Sequence, residues 1–119
     1  MIVTGALLAE SASVVDNKLN VAGGVVDRYQ IGPDRMVPVT LVVLTKPQPF
    51  DKAPSVDLTI TDPSGASRAV KIDVPESSLG GEIGFFCLPL SFPAPISGRY
   101  VLTVRSQSSV IDLPLNVID

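Results

Sequence analysis

Residues Ala6 to Tyr29 read ALLAESASVVDNKLNVAGGVVDRY, and both fold class and compartment turn on this stretch. Three readings compete: the trimmed remnant of an export signal, a helix, and a β-hairpin. An export signal needs a basic segment ahead of its apolar run, and no Lys or Arg precedes Lys18. A helix needs apolar residues at spacings of three and four, which Ser13 to Val21 does not provide. Val14, Val15, Val21, Val25 and Val26 are β-branched, and such side chains suit a pleated strand. Asp16-Asn17 falls between the two valine-bearing runs. Both residues tolerate left-handed backbone and bond their own main chain, so the pair is turn chemistry. The stretch is therefore a hairpin: a strand ending near Val15, a tight turn, and a strand from Leu19. Gly23-Gly24 inside the second strand predicts a bulge or a close approach by other backbone. With the export reading set aside, the expected compartment is the cytoplasm. No segment approaches the roughly 18 apolar residues of a spanning helix, so no membrane partner is expected.

The remaining chain continues in short strands. Val39 to Thr45 is an apolar run closed by Lys46-Pro47-Gln48-Pro49. Val56 to Thr61 alternates and ends in Asp62-Pro63-Ser64-Gly65, a turn signature, with Arg68 to Val74 as its partner. Ile83 to Leu90 forms another strand, followed by Phe92-Pro93-Ala94-Pro95. Arg99 to Arg105 and Val110 to Ile118 make the last pair, joined through a loop containing Ser108 and Ser109. About eight short strands with turn signals between them predict an all-β fold. The expected form is an antiparallel two-sheet sandwich, immunoglobulin-like in architecture, with residues 1–119 as one domain; a small open barrel is the other architecture. Tyr100, just after the Gly98 corner, is expected to pack inward and bond loop backbone through its hydroxyl.

Composition narrows the chemistry. The net charge is −3 and the 9 basic residues are scattered, whereas nucleic-acid binding needs clustered Lys and Arg. Histidine is absent, which removes Ser-His and Cys-His nucleophile pairs and the usual zinc sites. Cys87 is the one cysteine, so no intrachain disulfide forms, and inside FFCLPL it reads as a small hydrophobe. No P-loop, dinucleotide fingerprint or G-x-S-x-G elbow occurs. Neither a catalytic residue nor a cofactor or metal ligand is assigned. An enzyme would have to rely on carboxylates such as Asp73 and Glu76, or on loop serines such as Ser77-Ser78 and Ser108-Ser109. Calcium sites draw several carboxylates from one or two loops, but Asp16, Asp27, Asp34, Asp51, Asp57, Asp62 and Asp73 occur singly.

The opening ALLAESA, followed by DNKLNVAGGVVDR, resembles the start of a domain-of-unknown-function family of small uncharacterised bacterial proteins. Its members begin with a strand, a turn ending in Gly-Lys-Leu and a strand ending in Gly. The similarity runs on through FPAPISGRYVLTV to the closing IDLPLNV. Asn17 stands where the family has Gly before Lys18, a change the turn accepts because Asn also reaches left-handed backbone. The resemblance implies a β-sandwich and no activity, and carries over no catalytic residue.

Two candidate surfaces follow from the residues. A strand with one wet face alternates apolar and polar residues, as Val56 to Thr61 does. Three strands do not alternate: Ile2 to Ala9, Val39 to Leu44, and Ile83 to Leu90. Their second apolar faces would be exposed in a two-layer fold unless covered, and exposed apolar patches mark interfaces. The expectation is a homo-oligomer, a dimer by preference, with Val42, Leu44, Phe86 and Leu88 as interface residues. Coverage by the long loop from Gln30 to Val37 is the competing explanation. The second surface is a polar recognition patch, Asp27-Arg28 with Asp34-Arg35, beside Gly32-Pro33. The function expected is a non-catalytic module that self-associates or docks a protein partner. A small carboxylate enzyme or a calcium-binding sandwich domain is the alternative.

Overall fold

The computed structural model describes residues 1–107 and 109–119; of the loop serines, Ser108 lies outside the described residues. Among the described residues nine strands form two sheets. They are β1 (Ile2–Val15), β2 (Lys18–Gly24), β3 (Arg28–Gln30), β4 (Met36–Lys46), β5 (Ser55–Thr61), β6 (Ser67–Asp73), β7 (Gly84–Pro93), β8 (Gly98–Arg105) and β9 (Val110–Ile118). One sheet has the order β2-β1-β4-β7 and the other β3-β9-β8-β5-β6. A 3-10 turn, Glu76–Leu79, joins β6 to β7. No helix among the described residues is long and apolar enough to cross a membrane. The all-β reading stands, with one strand more than expected and one departure from antiparallel order. The extra strand, β3, pairs parallel to β9 through Arg28↔Asn116 and Gln30↔Ile118. A three-residue segment carries no readable period, and it lies partly within what the sequence presented as a loop.

The opening hairpin forms around Asp16 and Asn17, whose φ angles are 53° and 60°, with Val15 paired to Lys18. Two adjacent left-handed residues are what a primed two-residue turn demands.

One buried apolar cluster takes side chains from both sheets. β4 contributes Val37, Val39, Leu41 and Val43; β5 contributes Val56 and Leu58; β8 contributes Tyr100, Leu102 and Val104. The odd parity of β1 is resolved by a register shift against β4 between Val3 and Gly5. An extra residue in one strand switches which face each following side chain takes. Val3 enters the core before the shift, and Ala6 and Leu8 after it.

Tyr100 is 1% exposed and donates its hydroxyl to the Ile96 carbonyl at 2.7 Å. Burial of the ring pushes the phenol's pKa above its ordinary value. Tyr100→Phe leaves that carbonyl without its partner. The expected cost is about 1 kcal/mol, read as a fall of about 4 °C in the thermal midpoint.

The β5–β6 turn is organised by Asp62. Its Oδ1 accepts from the Ser64 hydroxyl at 2.6 Å, the Ser64 N–H at 2.9 Å and the Ala66 N–H at 3.0 Å. The Ser64 hydroxyl leads in holding this carboxyl below the usual carboxylate range. A carboxylate whose pKa is depressed by folding stabilises above its unfolded value, about 3.9, and loses that contribution as pH falls through the folded value. Thermal midpoints measured from pH 6 down to pH 2.5 should therefore fall less steeply for Asp62→Asn than for the parent chain.

Candidate functional site

The polar residues singled out in the sequence separate into two places. Asp27 and Arg28 lie where the chain passes from the four-stranded to the five-stranded sheet. The Val26 N–H donates to the Leu8 carbonyl at 2.7 Å, and the Asn116 N–H donates to the Asp27 carbonyl at 2.9 Å. This crossing segment is thus tied to both sheets, and it forms one wall of a groove of about 580 Å³ lined also by Glu10, Tyr29 and Pro38. Both Asp27 and Arg28 are exposed. Glu10 was not recognised in the sequence. Its signal was a single acid within a run of apolar and small residues, set across the hairpin from the Gly pair.

Gly23 explains that pairing. The ladder of β1 with β2 holds at Ala9↔Gly24 and Ser11↔Ala22, with Gly23 at φ +66° between them. A Cβ on Gly23 would stand 2.5 Å from Glu10 Cδ. The close approach is by a side chain, and the register shows no bulge here. The bulge of the sheet is the one between Val3 and Gly5.

Asp34 and Arg35 do not line this groove. Asp34 Oδ1 accepts from the Met36 N–H at 3.2 Å, a local turn contact. Arg35 is committed to other partners. Its guanidinium donates to Asp119 Oδ1 at 2.7 Å, to Ser97 Oγ at 3.2 Å and to the Ala94 carbonyl at 3.1 Å. Arg35 holds the Asp119 carboxyl below the usual range, with help from Ser97. The four residues therefore do not form one patch, because Arg35 fastens the β3–β4 connection to the β7–β8 loop and the end of β9. Asp51 is likewise engaged within the chain: the Met1 amino group donates to it at 2.6 Å and the Gln48 N–H at 2.8 Å. Among the described residues no three Cys, Asp or Glu side chains converge to hold a metal ion.

The four interface candidates also divide. Val42 pairs with Cys87, Leu44 with Phe85, Val43 with Phe86 and Leu41 with Leu88. Val42 and Leu44 thus share the outer face of the four-stranded sheet, while Phe86 and Leu88 share the inner one. Phe86 is 6% exposed and belongs to the core; Val42 is 0% exposed, and Leu44 is 37% exposed. Leu88 is half-buried and lines a cleft between β7 and β6. Phe86 and Val42 are thus withdrawn from any surface, for different reasons. Phe86 points into the core, and Val42 lies under the opening hairpin.

That cover is visible at both ends of the hairpin. Near its base, the Cβ position of Gly24 lies 3.0 Å from Val21 Cγ1, 3.6 Å from Leu7 Cδ1 and 3.7 Å from Ala9 Cβ. Leu7 is the β1 residue paired with Val42. At its tip, Val14 and Asn17 line a groove of about 370 Å³ with Pro75, Ile83, Phe85 and Cys87. The distal half of the hairpin thus doubles back over the outer face, and the Gln30 to Val37 segment is not what covers it. Around this second groove, Val14 is 54% and Ile83 80% exposed.

No model of a known protein family matches the chain, and no curated protein matches it in sequence.

Proposed function

We propose that the chain is a non-catalytic interaction module: one immunoglobulin-like β-sandwich domain, cytoplasmic, that forms a homodimer or docks a protein partner. The same reading places it in the family that its opening hairpin resembles. The observation that supports the module is the set of large apolar side chains left open on strand surfaces and groove rims, Leu44, Val14, Val70 and Ile83. Single exposed apolar residues are ordinary. Val14 and Ile83, however, border one groove with half-buried Phe85 and Cys87, beside the polar Asn17, Ser77 and Ser78, and clustered exposed apolar side chains mark contact sites.

Light scattering at micromolar concentration tests self-association. The expected mass is twice the 12.5 kDa of the chain, and a clean monomer defeats the homodimer. The alternative, a calcium-binding domain or carboxylate enzyme, would use Glu10 and Asp27 in the groove of the crossing segment. A thermal-shift series with calcium, magnesium and manganese separates the two, since a ligand of the native state raises the midpoint by mass action. The module predicts no metal-specific rise.

A further inference from the structure

The two sheets present four edge strands: β2 and β7 in one, β3 and β6 in the other. An edge strand exposes unpaired N–H and C=O groups, and natural folds blunt such edges with proline, brevity, distortion or charged side chains. β7 carries Pro89 and Pro93, β3 has three residues, and β2 ends in Gly23-Gly24 at the folded-back hairpin. β6 has none of the first three, and its edge is guarded by the charges of Arg68, Lys71 and Asp73 alone. Its seven residues, SRAVKID, contain neither Pro nor Gly.

β6 also overhangs the opposite sheet. Val70 pairs with Leu58 and Ile72 with Val56, and both of those β5 residues are core, so Val70 and Ile72 take the inner face. Val70 is nevertheless 52% exposed. Together with Arg68 they line a cleft of about 220 Å³ whose other wall is Leu88 and Leu90 of β7. The four-stranded sheet stops short of covering β6.

We propose that β6 pairs antiparallel with β6 of a second copy about a two-fold axis through Val70, doubling the five-stranded sheet. This rests on the self-association reading and places its contact. The axis, perpendicular to the sheet, requires partners on the same face, so only registers that match parity are allowed. The register through Val70 sets Val70 against Val70, Ser67 against Asp73, Arg68 against Ile72 and Ala69 against Lys71. All seven residues pair, no like charges stand opposite, and a serine hydroxyl meets a carboxylate at each end. Moving the axis to Lys71 opposes two lysines, and moving it to Ala69 leaves Ile72 and Asp73 unpaired. Cross-strand side-chain pairs are the stabilising unit of a sheet, and here the Val70–Val70 pair carries the apolar strip of the cleft across the junction.

Two variants test this. Val70→Asp places two carboxylates on the axis, and light scattering should show the mass halved to that of the monomer, with the thermal melt retained because the site is half-exposed. Val70→Cys, made with Cys87→Ala to remove the native thiol, should give a covalent dimer on mild oxidation, read by mass spectrometry. Ala69→Cys in the same background should not. A monomeric parent chain overturns both this contact and the self-association reading. A dimeric parent whose Val70→Asp variant stays dimeric, or whose Val70→Cys variant does not crosslink, overturns the β6 contact alone. Should Val70→Asp unfold, the crosslink decides.

Discussion

Val42→Asp is expected to abolish folding, whereas Leu44→Asp, two residues along on the same face, is expected to leave a folded protein. The contrast follows from position. Val42 sits in the central strand β4 between Leu7 and Cys87 on its neighbours and is 0% exposed. The doubled-back hairpin closes the space above it. A carboxylate there would be taken out of water, and the paired segments of β1 and β7 offer it neither Lys nor Arg. An unpaired buried charge belongs to the short list of changes that cost more than about 4 kcal/mol, a large part of the total stability of a domain this size. Leu44 lies beyond the cover at 37% exposure, so its charged variant retains hydration. Its expected cost is about 1 kcal/mol, mainly lost apolar burial. Urea titration followed by far-ultraviolet circular dichroism distinguishes the two. A cooperatively folded Val42→Asp would mean that the hairpin does not seal the face in solution.

The same strand shows where sequence reading runs out. The hairpin itself is legible because its causes are local: valine-rich runs and two residues that accept left-handed backbone. The alternation of β5 and β6 and the Tyr100 hydroxyl bond are legible for the same reason. The exposure of Val42 was not, because it depends on a segment distant in the chain folding over it. Nor was the switch of parity in β1, since a bulge beside Gly5 looks like any small-residue position until β4 is docked against it. Arg35 makes a further case. In sequence it stands beside Asp34 and suggests a surface pair, yet its partners Ala94, Ser97 and Asp119 lie 59, 62 and 84 residues away. Only Asp27 and Arg28 of the predicted patch remain exposed in a groove, and Glu10, which completes that groove, becomes significant only through its contact with Gly23.

Gly84→Ala is expected to be the most disruptive single methyl group in the chain. Gly84 begins β7 opposite Thr45 of β4 and is buried. A Cβ at this position would stand 2.0 Å from the Ser78 carbonyl oxygen, 2.9 Å from the Ser78 carbonyl carbon and 2.8 Å from Thr45 Oγ1. Two of these atoms are backbone, so no rotamer change relieves the overlap. Either β7 must shift from β4 or the 3-10 turn must lift away. The turn is the weaker of the two, held by the Ser78 hydroxyl donating to the Phe85 carbonyl at 2.6 Å and by the Ser78 N–H donating to the Pro75 carbonyl at 2.9 Å. Lifting it breaks the hydroxyl bond and opens the end of the core below Leu79. Overpacking typically costs about 1–3 kcal/mol, and loss of the Ser78 bond adds about 1 kcal/mol, so an unfolding free energy lower by roughly 3 kcal/mol is expected. A double-mutant cycle identifies the route. If the turn gives way, Ser78→Ala costs little in the Gly84→Ala background because its bond is already broken, and the two effects fall short of additivity by about 1 kcal/mol. If β7 shifts instead, the bond survives and the two costs add.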